Sequence, residues 1–195
     1  MSFLRHTIVA ALCAAGLAAG AEAALQAGDS APAFRASASR AGRTIDYRLA
    51  DALAQGPVVV YFYPAAFTAG CNVQAHLFAE NAANFASAGA SIVGVSLDPI
   101  ERLNAFSADP ASCAGRFPVA SDADGRIARS FALQLAETPP ERTNLRGEAI
   151  GHARAERTTF VVAPDGHIAA AIGGVSPEDN VARTLDAVRA LARKR

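Results

Sequence analysis

The run Val58-Val59-Val60-Tyr61-Phe62-Tyr63 constrains this chain more than any other stretch. It has no polar residue with which to alternate. An amphipathic strand has one wet face, but a continuous β-branched and aromatic run must be covered on both. Such coverage calls for helices on either side of a central sheet. Pro64 ends the run. From Cys71 to about residue 88 the pattern becomes helical, with Leu77, Phe78, Asn81 and Phe85 near one face, until Gly89 stops it. The segment from Tyr63 to Cys71 is therefore a junction between a strand's carboxyl end and a helix N-terminus, where α/β folds tend to place their sites.

The rest of the chain continues the alternation. Residues 24–42 are small, polar and loop-like, and 44–49 predict a short strand. Ser91–Ser96 (SIVGVS) predicts a second buried strand, and 99–108 a helix with Ile100, Leu103 and Phe106 on its apolar face. A short strand at 117–120 and a short helix at 124–131 follow. Residues 133–156, with Pro139-Pro140 in the middle, predict a long exposed loop. Thr158–Ala163 and 167–172 flank the turn Pro164-Asp165-Gly166 as a hairpin. A closing helix over 177–193 carries Val181, Leu185, Val188 and Leu191 on one side. The expected class is α/β, a central mixed β-sheet flanked by helices.

Arg5 and His6 precede an apolar run from Ile8 to Ala19, followed by Ala21-Glu22-Ala23. That is the layout of a secretory signal peptide, predicted to be cleaved after Ala23. The run is shorter than the roughly 20 residues of a membrane span. Residues 1–23 are thus expected to be a signal peptide and 24–195 one domain, with a periplasmic or secreted mature protein that has no stable membrane association. Basic and acidic residues balance at 18 each. Arg189, Arg193, Lys194 and Arg195 suit the end of a solvated helix better than a nucleic-acid footprint, so no nucleic-acid partner is expected. Cleavage removes Cys13 and leaves Cys71 and Cys113. Two cysteines in an oxidising compartment can pair, but a domain of this size needs no staple. A redox role becomes plausible before any motif is considered.

Cys71 falls in the first turn of the predicted helix. Unpaired N–H groups and the positive end of the dipole both favour thiolate, the nucleophilic form. Thr68 lies three residues earlier, where its hydroxyl can donate to the sulfur or orient an incoming oxygen. Pro64 fixes the turn and can shield the sulfur. A cation brought in from elsewhere would complete the site.

Pro64-x-x-x-Thr68-x-x-Cys71 resembles the active-site motif of the peroxiredoxins, thiol peroxidases of the thioredoxin-like fold. Gly28-Asp29-Ser30-Ala31-Pro32-Ala33-Phe34 resembles their opening G-x-x-A-P-x-F, and Ser91–Pro99 their next strand and loop. Phe117 to Asp122, with Asp124-Gly125, resembles F-P-L-x-S-D-x-D-G. Arg157-Thr158-Thr159-Phe160 resembles the R-x-x-F that carries the active-site arginine. The match runs over most of residues 25–191 and is nearest to the bacterioferritin-comigratory-protein, or PrxQ, type. The resemblance implies a peroxiredoxin variant of the thioredoxin-like fold. It implies Cys71 as the peroxidatic cysteine, attacking the O–O bond of hydrogen peroxide or an organic hydroperoxide. Thr68 and Arg157 would hold the peroxide oxygens, and Pro64 would pack over the sulfur. A peroxide substrate and a thiol reductant, protein or small molecule, are implied, with no cofactor and no metal. Arg154 and Arg146 are the alternatives to Arg157.

The chain departs from the family pattern in three places. His76 stands where many PrxQ-type chains carry a second cysteine, Gln74 stands where glutamate is frequent, and the 133–156 loop is longer. The resemblance leaves Cys113 as the candidate resolving cysteine, through an intramolecular disulfide with Cys71. Three alternatives stay open at this point: a one-cysteine peroxidase reduced by an external thiol, a non-catalytic redox sensor or binding module, and disulfide exchange. The last lacks its usual C-x-x-C, because Asn72-Val73-Gln74 follows Cys71. Cys71 and His76 make no zinc site without further ligands.

Overall fold

The computed structural model describes residues 24–193. The expected signal peptide, its cleavage point and Cys13 lie outside the described residues. In chain order the elements are β1 (Arg35–Arg40), β2 (Arg43–Arg48), α1 (Leu49–Leu53), β3 (Val58–Phe62), α2 (Ala69–Glu80), α3 (Ala82–Ser87), β4 (Ser91–Ser96), α4 (Ile100–Ala108), β5 (Val119–Ser121), α5 (Arg126–Ser130), β6 (Leu135–Ala136), β7 (Arg154–Ala155), β8 (Thr158–Val162), β9 (Ile168–Gly173) and α6 (Pro177–Ala192).

Seven strands form one sheet in the order β2-β1-β5-β4-β3-β8-β9, and β6 pairs with β7 separately. β3, β4 and β5 run parallel, while β8 lies antiparallel against β3. The sheet is mixed, as the alternation of elements predicts.

Every residue of β3 is buried, and its two faces feed two different cores. Val59 and Tyr61, with the following Tyr63, pack with Phe78, Phe85, Phe106 and Val188 on the side of α2, α4 and α6. Val58, Val60 and Phe62 pack with Leu49, Phe131, Phe160 and Ile168 on the other side. At about 1.5–3 kcal/mol for each large apolar side chain, this double burial is why the run tolerates no polar residue. Gly94 in β4 pairs with Tyr61. A Cβ there would lie 2.7 Å from the tyrosine ring, so only glycine lets that ring lie flat across the sheet.

The structure corrects three expectations and adds one element. Residues 24–42 are not all loop, because β1 crosses them and pairs along its whole length with β2. The single helix expected over 71–88 begins at Ala69 and is interrupted at Asn81, whose side chain returns to the Leu77 carbonyl at 2.9 Å. The short helix α1 was not expected at all. The 133–156 segment is not uniformly exposed loop. β6 and β7 close its base, Thr143 bridges Ala149, and Leu133, Asn144, Ile150 and Ala155 are buried.

Candidate active site

β3 delivers the chain to Pro64, and α2 starts five residues later with Thr68 as its N-cap. Cys71 is the third residue of that helix, 1 % exposed, on the face that packs into the core shared by Tyr61, Tyr63 and Phe78. The Thr68 carbonyl accepts from the backbone N–H groups of Cys71 (3.0 Å) and Asn72 (2.9 Å), which winds the turn tightly. The Thr68 hydroxyl donates to the Ala65 carbonyl at 2.9 Å. Its proton is thereby committed to the backbone rather than to the sulfur, and its lone pairs remain as acceptors. Pro64 is half-buried at the head of the same loop.

The cation comes from 86 residues away. Because β8 runs antiparallel to β3, with Phe62 opposite Thr158, the residue that enters β8 sits beside the end of β3. That residue is Arg157. Its Nη2 donates toward Cys71 Sγ at 3.4 Å. Arg154 instead binds Thr138 Oγ1 and the Glu137 carbonyl, and Arg146 binds Asp109. Gly70 makes room for the approach: a Cβ there would lie 3.3 Å from Arg157 Nη2.

Arg157 is aimed by a buried neutral relay that was not anticipated. Its Nη1 donates to Gln74 Oε1, in a very short contact. Gln74 Nε2 donates to Asn180 Oδ1 (2.9 Å), which also accepts from Thr159 Oγ1 (2.7 Å). Asn180 Nδ2 donates to the Ile172 carbonyl at 2.9 Å. Gln74, Thr159 and Asn180 are fully buried. A glutamate at position 74 would set a carboxylate against the guanidinium, whereas glutamine orients it without offsetting its charge. The relay unites α2, β8, β9 and α6 around one guanidinium.

A second unforeseen cluster lies under the Pro64–Thr68 loop. Asp98, fully buried just past β4, accepts from the Ala66 backbone N–H (2.7 Å), Ser96 Oγ (2.9 Å), Arg102 Nη1 (3.1 Å) and His152 Nε2 (3.0 Å). His152 Nδ1 lies 2.7 Å from the Ala153 carbonyl. Both ring nitrogens thus face pure acceptors, which only the imidazolium satisfies. Burial opposes that charge, but Asp98 and the carbonyl outweigh it and hold His152 above the ordinary histidine range. Burial also opposes the Asp98 charge, and His152 with the surrounding donors holds the carboxyl below its ordinary range. His152 is structural here, and the exposed His76 pairs with Glu80 at 3.4 Å.

Cys113 is fully buried in the same core as Cys71, in the turn after α4, and both thiols are free. Burial pushes its thiol up, the nearby Tyr61 hydroxyl opposes that, and Asp109 adds to the rise. The Tyr61 hydroxyl is buried without a well-aligned partner and lies close enough to feel both sulfurs. A cavity of about 560 Å³ touches Arg157, Glu156 and Gly173 but not Cys71, so it does not open onto the sulfur. Among the described residues no group of three His, Cys, Asp or Glu side chains is placed to hold a metal ion.

Comparison with known proteins agrees with this geometry. The sequence model described as the AhpC/TSA family matches residues 27–171. A putative peroxiredoxin of Mycobacterium tuberculosis is 38% identical over 120 residues, 60% of this chain and 68% of the relative. The crystal structure of peroxidoxin BcpB from M. tuberculosis superposes with a TM-score of 0.69 at 32% identity, covering 86% of this chain and 98% of that one. Peroxiredoxin Q of Xanthomonas campestris gives 0.65 at 29%, covering 82% and 91%. The mixed sheet with its flanking helices is the thioredoxin-like architecture of these structures, and the chain belongs to the AhpC/TSA family of peroxiredoxins, on the Bcp/PrxQ side.

Proposed function

We propose that Cys71 is the peroxidatic cysteine of a thiol-dependent peroxidase acting on hydrogen peroxide and organic hydroperoxides. The observation that carries the reading is the Arg157 guanidinium 3.4 Å from Cys71 Sγ, at the first turn of a helix. The thiolate sulfur attacks one peroxide oxygen, and the O–O bond breaks. The sulfur becomes sulfenic acid, and the other oxygen leaves as alkoxide or hydroxide and takes up a proton. Arg157 donors face the oxygen on which negative charge grows, while the Thr68 lone pairs accept from the peroxide O–H. Pro64 limits water around the sulfur.

The sulfenic acid then reacts with Cys113. An S–S bond forms, the S–O bond breaks, and water leaves. An external thiol reductant restores both thiols. That pairing is supported by the shared core and by Cys113 being the remaining described cysteine. The N-terminal pattern supports an exported, periplasmic or secreted protein cleaved after Ala23.

The test is stopped-flow oxidation of the reduced mature protein by hydrogen peroxide, with Cys71→Ser, Arg157→Met and Cys113→Ser alongside. Wild type should react far faster than free cysteine and Cys71→Ser not at all. Arg157→Met should lose about 10²–10³-fold, the loss expected for a removed charge-stabilising donor. Cys113→Ser should be oxidised normally but form no intramolecular disulfide. Wild-type reaction no faster than free cysteine would overturn the peroxidase reading and leave a redox sensor or binding module. Normal turnover of Cys113→Ser would leave a one-cysteine peroxidase.

A further inference from the structure

The tip of the 133–156 segment touches both turns that carry the cysteines. On the Cys71 side lies Phe67, one residue before the helix N-cap, with φ of +60°, in the left-handed region that a phenylalanine rarely adopts. The Leu145 backbone N–H donates to the Phe67 carbonyl at 2.9 Å. The Arg146 guanidinium carbon sits 3.4 Å over the centre of the Phe67 ring. On the Cys113 side, the same guanidinium donates to Asp109 Oδ2 at 2.6 Å. Asp109 organises the turn that holds Cys113. Its other carboxylate oxygen accepts from Ala111 N–H, and its carbonyl accepts from Ser112 and Ala114 N–H. The tip itself is rigid: the Asn144 side chain, 6% exposed, accepts from the N–H groups of Arg146 (2.9 Å) and Glu148 (3.1 Å).

We propose that Arg146 is a positioning residue for the resolving step, a strap that ties the Cys71 turn to the Cys113 turn and sets how fast they meet. The proposal rests on Cys113 being the resolving cysteine. Both sulfurs are buried and unbridged, and a disulfide requires the two Cα atoms to lie about 4.4–6.8 Å apart in a restricted geometry. On this proposal the two cysteines, in the first turn of α2 and in the turn after α4, meet through a rearrangement of the turn before Cys71 and the turn around Cys113, and the sulfenic acid and the thiol then condense with loss of water. Arg146 holds both in their reduced arrangement through one guanidinium. While it holds, the sulfenic acid waits, and a second peroxide can oxidise it to sulfinic acid, with that peroxide reduced to water or alcohol. The strap thus sets the partition between disulfide and over-oxidation without touching the peroxide.

The chain has no tryptophan to report on the step. The experiment is rapid quench with dimedone trapping and intact-mass analysis of reduced mature protein after one equivalent of hydrogen peroxide. A titration to excess peroxide follows the sulfinic form. Arg146→Ala removes a half-exposed ion pair and a stacked cation, so disulfide formation should accelerate by about five-fold. The rate of sulfenic acid formation should stay unchanged, and the peroxide needed for half-conversion to sulfinic acid should rise in parallel. Arg146→Lys, which retains a charge for Asp109 but stacks less well, should fall between; it also serves if the alanine variant fails to fold. A merely structural arginine would lower the melting temperature without changing this partition. An unchanged or slower disulfide step in both variants, with Cys113→Ser blocking the disulfide, overturns the strap and leaves Cys113 as resolver. Wild-type protein that never forms the intramolecular disulfide overturns the resolving role, and the strap with it.

Discussion

His152 gives the sharpest test of how the active-site loop is supported. Its two ring nitrogens face Asp98 Oδ1 and the Ala153 carbonyl, and its side chain is 11% exposed. Replacing it with alanine removes two charge-assisted hydrogen bonds. Asp98 still keeps Ala66 N–H, Ser96 and Arg102 as donors, so it is weakened rather than orphaned. A net loss of about 2 kcal/mol is expected. For a domain of this size that lowers the melting temperature by about 4–8 °C. The histidine pKa is raised on folding. Its contribution is therefore complete below the unfolded value, about 6.5, and disappears as pH rises through the folded value. The charged groups around it are Asp98, Arg102 and, through Arg102, the half-exposed Glu148. Asp98 has a lowered pKa, so its own contribution is lost only on acidification, outside this window. Calorimetric melts of wild type and His152→Ala from pH 6 to 9.5 should show the full gap at the acid end and a closing gap toward the alkaline end. His76→Ala, at an exposed ion pair, should show almost no gap at any pH. A gap for His152→Ala that is constant with pH, or that widens upward, would refute the charged histidine.

Gly70→Ala should lower the rate of Cys71 oxidation by roughly three- to ten-fold, because the added methyl crowds Arg157 Nη2 and a small misplacement near reacting atoms is expensive in rate. Its melting temperature should hold or rise, since alanine is favoured over glycine inside a helix by up to about 1 kcal/mol; an unchanged oxidation rate would show that the approach is not tight. The full chain expressed with its own N-terminus in a bacterial host should be recovered from the periplasm beginning at Ala24, and recovery from the cytosol with Met1 retained would overturn the export reading.

The strands that carry the site were legible because β3 (VVVYF) is all valine and aromatic and buried on both faces, while β4 (SIVGVS) and β8 (TTFVV) carry short buried runs of β-branched and aromatic residues. β1 was not legible. Its sequence, RASASR, has no β-branched or aromatic residue, and it is a strand because β2 and β5 pair with it on either side. The break between α2 and α3 depends on one asparagine turning its side chain back onto the helix, which periodicity cannot register. Cys71, Thr68 and Pro64 were visible as a motif within one loop. Arg157 was visible by motif alone, since only the antiparallel register of β8 brings it to the sulfur. Gln74 was noted as a departure from a pattern, but its relay to Asn180 joins helices far apart in the chain. The Asp98 cluster was missed because an aspartate after a strand is ordinarily a turn residue. Only tertiary structure gives this one four donors from three segments.

The antiparallel docking of β8 on β3 has a consequence for the order in which the protein is made. The sulfur and its guanidinium are separated by 86 residues of chain. At about 5–20 residues per second, the cysteine is synthesised roughly 4–17 s before the arginine that charges its surroundings. Asn180, which aims that arginine, is later still. A nascent or truncated chain therefore carries Cys71 without the Arg157 donor beside its sulfur. If Cys71 is the peroxidatic cysteine as proposed, its full reactivity toward peroxide is conferred by completion of the fold, and the unfinished chain is spared that reaction.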